Sequence, residues 1–551
     1  DHANLTLEEM KQTTCDMELL DAQLTEMKEL AAEAEAAGEA KDPERVKELF
    51  GETLDEVEKL STCYSLSQIT YYQNIFDEEN QEIQAELLDD VMDYGDRLNV
   101  SIRELCKSPY QNTMTELMNA EQVEAYLEYE EMTDEEKELT AKENSLEQEY
   151  EQLSSEEFYY EYDGEEWDLN RLNMEADEMD HDAVVEIYQG ICKQRNDAVG
   201  EVFVELVDVR NEIAKLNGYD NYAEYAYDAV YVRDYTLDET RDLLKEIRKH
   251  VVPVMADMKD VLNDTDYMRL YTEGQGIEST SIIEQIGPYL EEIDPELKDT
   301  QEHFLKYRLY DMDTSQNKAN TAFTMRLSYF KDGFIYGQMY DNYMDYYNVI
   351  HEFGHYNNVY RSADTFFESS NNIDVSEIHS QGMQMLFYDY YDELLGEDIG
   401  DIYAFYDVYS MADNAISTAL ISEFEIAAYE NPDMTLEELN KLYLQLSRRY
   451  GMQYDSKIRE LYTWSEVPHI FTSPCYYFSY LTSAFSSLDI LTMAEEDRHE
   501  AVETYMTLTT IPGYVPYCSA VEYAGLRDIF DDGVAQDIIE ETASILGVKG
   551  Y

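Results

Sequence analysis

The sequence predicts a mainly α, two-lobed protein with a small β-sheet near residue 330. Three observations predict it. Apolar residues recur at helical spacing through most of the chain, and only two short stretches alternate as strands do. The chain also has 551 residues, 44% of them hydrophobic, which is far more than one small core requires. The expected lobes are residues 1–200, helical with one β-hairpin near 157–169, and residues 201–551, mostly helical.

From Thr6 to about Leu117 the pattern is one of long amphipathic helices, with Leu19, Leu24, Met27 and Leu30 at helical spacing. Lys41-Asp42-Pro43 and Ser108-Pro109 interrupt it. Residues Glu157 to Leu169 alternate around Asp163-Gly164, a pair that tolerates positive φ and so closes a tight hairpin. Helical spacing resumes from Asp182 to about Leu262, and Gly218 carries the signal of a helix C-terminus. Between Ala322 and Met339 two strand-like runs flank a turn at Lys331-Asp332-Gly333, and helices dominate afterwards.

Charge excludes several partners. Lys and Arg total 38 against 121 Asp and Glu, a formal charge of −83 that repels phosphate backbones and anionic lipid surfaces. Nucleic acid is therefore not an expected partner. From Glu121 to Asp182 there are 25 acidic residues against three basic ones, a run read as a solvated face. No uncharged apolar run is long enough to span a membrane. The six cysteines form no CxxC pair, so thiolate metal binding is not expected and reduced, buried thiols are. The chain opens at Asp1 without a charged-then-apolar leader; its acidity and 50 tyrosines favour an extracytoplasmic over a cytoplasmic protein.

The chemistry concentrates at His351-Glu-Phe-Gly-His355. Histidines four apart on a helix rise about one turn apart on one face, so both imidazoles reach a single ion. Glu352 is offset to the side, where a carboxylate beside a metal but not bound to it acts as general base. Zinc held by two histidines needs a third protein ligand and an open position. Glu377 supplies that ligand, with Asp374 expected to cap a new helix and set Glu377 in its first turn. Glu368 is the alternative acid, in a loop-like stretch. His379 points about 200° round the helix from Glu377 and is left out of the metal set.

These residues resemble the thimet oligopeptidase and oligoendopeptidase F family of zinc peptidases. The resemblance rests on Arg210 to Tyr219, Gly333-Phe-Ile, His351 to His355 and Ser376-Glu-Ile-His-Ser-Gln381, together with a later histidine and tyrosine cluster, His469 to Tyr480. These blocks cover about residues 155 to 490. The resemblance implies a zincin-type helical fold with a deep substrate channel and one zinc ion per chain. It also implies hydrolysis of internal bonds in short unstructured peptides through a zinc-activated water. By the same resemblance Tyr477 and Tyr480 offer hydroxyl donors to the oxyanion, and His469 contacts the substrate backbone. The strand from Phe334 to Met339 is expected beside the substrate path, pairing with its backbone.

Two positions depart from the family pattern. Asn358 replaces a third histidine and Gln384 replaces a glutamate, the latter removing a charge near the metal with expected loss of metal affinity. The loss of that charge supports the alternative reading, a catalytically weakened peptide-binding protein of the same fold; the intact Glu352 argues against it. A purely acidic helical scaffold would leave His351, Glu352, His355 and Glu377 unexplained.

Overall fold

The computed structural model describes residues 2–128, 132–362, 372–452 and 461–551. Its N-terminal part is built from helices α1 (Met17–Ala37), α2 (Pro43–Gln73) and α3 (Glu78–Lys107). Each starts where an aspartate accepts a backbone N–H: Asp16, Asp42 and Asp77. Pro43 sits at the first helical position, where it loses no hydrogen bond, and Ser108 closes α3. The break between α2 and α3 at Asn74–Asp77 carries no proline or glycine. Helix α4 (Asp134–Ser154) opens on a capping box between Thr133 and Glu136, and lies inside the acidic run.

Strands β1 (Tyr160–Tyr162) and β2 (Glu165–Trp167) form the expected hairpin, with Asp163 at φ 52° and Gly164 at φ 81° in the turn. Helix α5 (His181–Leu216) follows, running unbroken through residue 200. It ends with Gly218 at φ 85° while the N–H of Tyr219 returns to the carbonyl of Ala214.

Strands β3 (Tyr310–Asp311), β4 (Ala322–Leu327) and β5 (Asp332–Gly337) form a sheet of order β3-β5-β4, with β3 parallel and β4 antiparallel to β5. This corrects the expectation for Phe334 to Met339. Residues 332–337 form a fully buried central strand whose ladder is taken on one side by β4 and, at Ile335 and Tyr336, on the other by β3. The edge strands are β3 and β4. A two-residue strand such as β3 has no sequence period to read, so the centre of the sheet was not legible.

The helices after the sheet are α6 (Met344–Arg361), α7 (Ile373–Phe387), α8 (Glu397–Glu430), the short α9 (His469–Thr472) and α10 (Phe478–Glu496). Buried apolar residues fall into a cluster drawn from residues 20–123, a small one around Trp167 and Ile187, and a large one reaching from Leu7 to Val548. None of the six cysteines is in a disulfide. Among the described residues, no helix is long and apolar enough to cross a membrane.

Candidate metal centre

Helix α6 carries His351, Glu352 and His355, and α7 carries Glu377. What lets the two helices meet is Gly354. A Cβ there would collide with the carbonyl oxygen of His379 and lie 2.7 Å from Ser380 Cα, so only glycine permits this backbone approach. Helix α7 does not start as expected. Its cap is Asn372, whose side chain accepts from the N–H of Asp374, and this places Glu377 in the second turn. Asp374 is instead buried and engaged elsewhere: it accepts from Tyr235 Oη (2.9 Å), Ser479 Oγ (2.5 Å) and Arg233 Nε (3.3 Å). That junction ties the start of α7 to the start of α10. Glu368 lies outside the described residues.

The structure brings His351, His355 and Glu377 together, with one ligand-capable atom from each within 4.8 Å of the others. Nε2 of His351 and Nε2 of His355 each lie 3.4 Å from Oε2 of Glu377. Two imidazole nitrogens and a carboxylate, converging while partly open to solvent, are a donor set suited to a divalent transition metal with room for a further ligand. The electrostatics of the protein alone reflect the same crowding. Burial favours neutral His351, but Glu377 and Glu352 outweigh it and push the imidazole up to about 9. Burial likewise raises Glu377, yet His355 and His351 hold it well below the usual carboxylate range.

Glu352 is 5% exposed, and the hydroxyl of Thr324 on β4 donates to its Oε2 at 2.7 Å. This hydrogen bond orients the carboxylate. On its far side His351 meets a chain of partners: Gln384 Oε1 is 2.9 Å from Nδ1, Gln384 Nε2 donates to Asp407 Oδ1 (2.6 Å), and Tyr391 Oη donates to Asp407 Oδ2 (2.8 Å). Tyr347 stacks on the His351 ring at 5.4 Å. His379 is buried, its Nδ1 lacks a hydrogen-bond partner among the described residues, and burial depresses it to about 3. Asn358 donates to the carbonyl of Thr509, away from this cluster.

The C-terminal block gathers around His469 on α9. Ring centroids of Tyr477, Tyr476 and Tyr480 lie 5.0, 5.5 and 6.0 Å from the imidazole, and Tyr480 Oη is 3.5 Å from Nε2. Burial lowers His469 and raises all three phenols. Glu377 raises Tyr480 further, Glu377 and Asp374 raise Tyr476, and Glu425 raises Tyr477. Tyr476 and Tyr477 each lie 5.4 Å from Tyr480, ring centroid to ring centroid, so the three phenols form one group with His469. Sequence reasoning missed Tyr476, Thr324 and Asp407. Adjacency to Tyr477 was the one available signal for Tyr476, while Thr324 touches the motif from a different element and Asp407 reaches it only through Gln384.

The cluster is anchored by Arg210 of α5, fully buried. Its guanidinium donates to the carbonyls of Ile470 (3.1 Å) and Phe471 on α9, to Tyr429 Oη of α8 (3.2 Å), and to Glu143 (2.6 Å) and Glu147 (2.9 Å) of α4.

No protein-family model and no curated protein matches the chain. Solved structures do. A protein provisionally named oligoendopeptidase F is 23% identical, with 99% of each chain covered and a TM-score of 0.74. PZ peptidase A with an inhibitor is 22% identical over 97% of each chain, at a TM-score of 0.73. Oligoendopeptidase F from Enterococcus faecium is 14% identical, covering 96% of this chain and 97% of its own, at a TM-score of 0.57. Over nearly its whole length, this chain has the fold of the oligoendopeptidase F structures.

Proposed function

We propose that this chain is a zinc-dependent oligopeptidase that hydrolyses internal bonds of short, unstructured peptides. The observation that carries the reading is the convergence of His351, His355 and Glu377 with Glu352 buried beside them. The structures of like fold are named as peptidases, which supports the same class. Zinc held by the three residues would supply Lewis acidity, polarising the scissile carbonyl and easing deprotonation of water. Glu352, oriented by Thr324, takes the proton from the attacking water and returns it to the leaving amine. Tyr480 and Tyr477, with Tyr476 beside them, donate hydroxyls toward the oxygen that becomes negative. His469 orients the substrate backbone near those phenols. Of the sheet, β4 offers an edge on which an extended peptide can pair, and Thr324 sets that edge next to the general base.

A mixed peptide library incubated with zinc-replete protein and read by mass spectrometry tests the proposal. Internal cleavage of peptides of about five to twenty residues, abolished by a chelator and restored by zinc, is the expected result. Intact peptides after prolonged incubation with the zinc-loaded chain would reject it.

A further inference from the structure

The partner of His351 is an amide, and an amide can face either way. Gln384 can present its oxygen or its NH₂ to Nδ1. With Oε1 toward the ring, the proton must sit on Nδ1, and the Nε2 lone pair faces Glu377 and is free to bind a metal. With NH₂ toward the ring, Nδ1 accepts, the proton moves to Nε2, and the ligand lone pair is lost. Nothing in Gln384 itself chooses between them.

The choice is made one step further out. Gln384 and Asp407 are 0% and 2% exposed, so their polar groups must be matched within the protein. Burial pushes Asp407 up to about 6, against the Tyr391 and Gln384 hydrogen bonds that favour its charge, so above that pH it is a carboxylate that only accepts, with one oxygen occupied by the Tyr391 hydroxyl at 2.8 Å. The other oxygen, 2.6 Å from Gln384 Nε2, requires an N–H there. That turns Gln384 Oε1 to His351, at 2.9 Å. We infer that Asp407 is a positioning residue that sets the direction of the Gln384 amide, and through it the metal-binding tautomer of His351. The relay runs across three helices, α6, α7 and α8, and restores a carboxylate behind the histidine although the residue touching the ring is neutral. This inference rests on the zinc reading above.

The test is zinc affinity of the full-length chain, measured by chelator competition rather than by turnover. Asp407→Asn is nearly isosteric, but its side chain can offer NH₂ to Gln384 Oε1 and so reverse the relay. Its zinc Kd is expected to rise about 10- to 100-fold. Adding Gln384→Glu to that variant places a carboxylate directly on Nδ1, which accepts in either orientation, and is expected to bring the Kd back to within about threefold of wild type. If Asp407→Asn does not fold, Gln384→Met, which keeps volume and removes the acceptor, must show the same loss. Wild-type affinity in the variant that folds, or a loss that Gln384→Glu does not repair, would overturn the relay while leaving the zinc reading intact. Failure of the wild-type chain to hold zinc would instead overturn the proposed function on which the relay rests.

Discussion

A phenol that donates to a developing oxyanion matters only in the transition state, so its removal is read in kcat. Tyr480→Phe keeps the ring and its contacts with His469 and removes the hydroxyl. We expect kcat to fall about 10²- to 10³-fold with little change in KM or zinc content. Tyr477→Phe is the parallel test of the neighbouring phenol, and kcat near wild type in both single variants and in the double variant would remove the two phenols from the mechanism. His379 makes a prediction about stability. Burial holds the folded imidazole at about 3, against about 6.5 when unfolded. The unfolded chain therefore takes up the proton first, and stability present above pH 6.5 is lost as pH falls from about 6.5 towards 3. In metal-free protein His379→Gln should flatten the dependence of unfolding free energy on pH within that window; an unchanged slope would place the acid sensitivity elsewhere. The three residues proposed to hold zinc, and Glu352, were legible because their types and local spacing carry the chemistry. Tyr391, Asp407 and Thr324 were not, because each acts from an element that only tertiary packing brings to the motif.

The element that matters most is the α6–α7 pair. Gly354 reads in sequence as a poor helix former, and its use appears only when α7 is seen pressed against it. Gly354→Ala should raise helix propensity yet push the two backbones apart, costing about 1–3 kcal/mol of stability. Because Glu377 rides on α7 and both histidines on α6, zinc affinity should fall by about tenfold or more in the same variant. Unaltered stability and zinc content would mean the helices have slack there. Local signals did locate the β1–β2 hairpin, where Asp163-Gly164 leaves one turn geometry. They misplaced the start of α7, where both Asn372 and Asp374 suit a cap and the buried Arg233 decides between them.

Across the whole molecule, Arg210 links α4, α5, α8 and α9, and so ties the acidic helix near residue 140 to the backbone that follows His469. Arg210→Met leaves two carbonyls and two glutamates without their donor, and should cost about 3–5 kcal/mol in chemical denaturation. A smaller cost would show that those groups find other partners. The net charge of −83 adds a kinetic expectation. Cationic peptides should be cut with a kcat/KM at least about tenfold higher at low salt than at high salt, and neutral ones without that dependence. The central claim is that Glu352 is the general base beside a metal held by His351, His355 and Glu377. Measuring zinc content and peptide turnover together in Glu352→Gln tests it most directly. The account predicts one zinc per chain, as in wild type, with turnover reduced by more than about 10²-fold. Turnover above about a tenth of wild type in the zinc-loaded variant would contradict it.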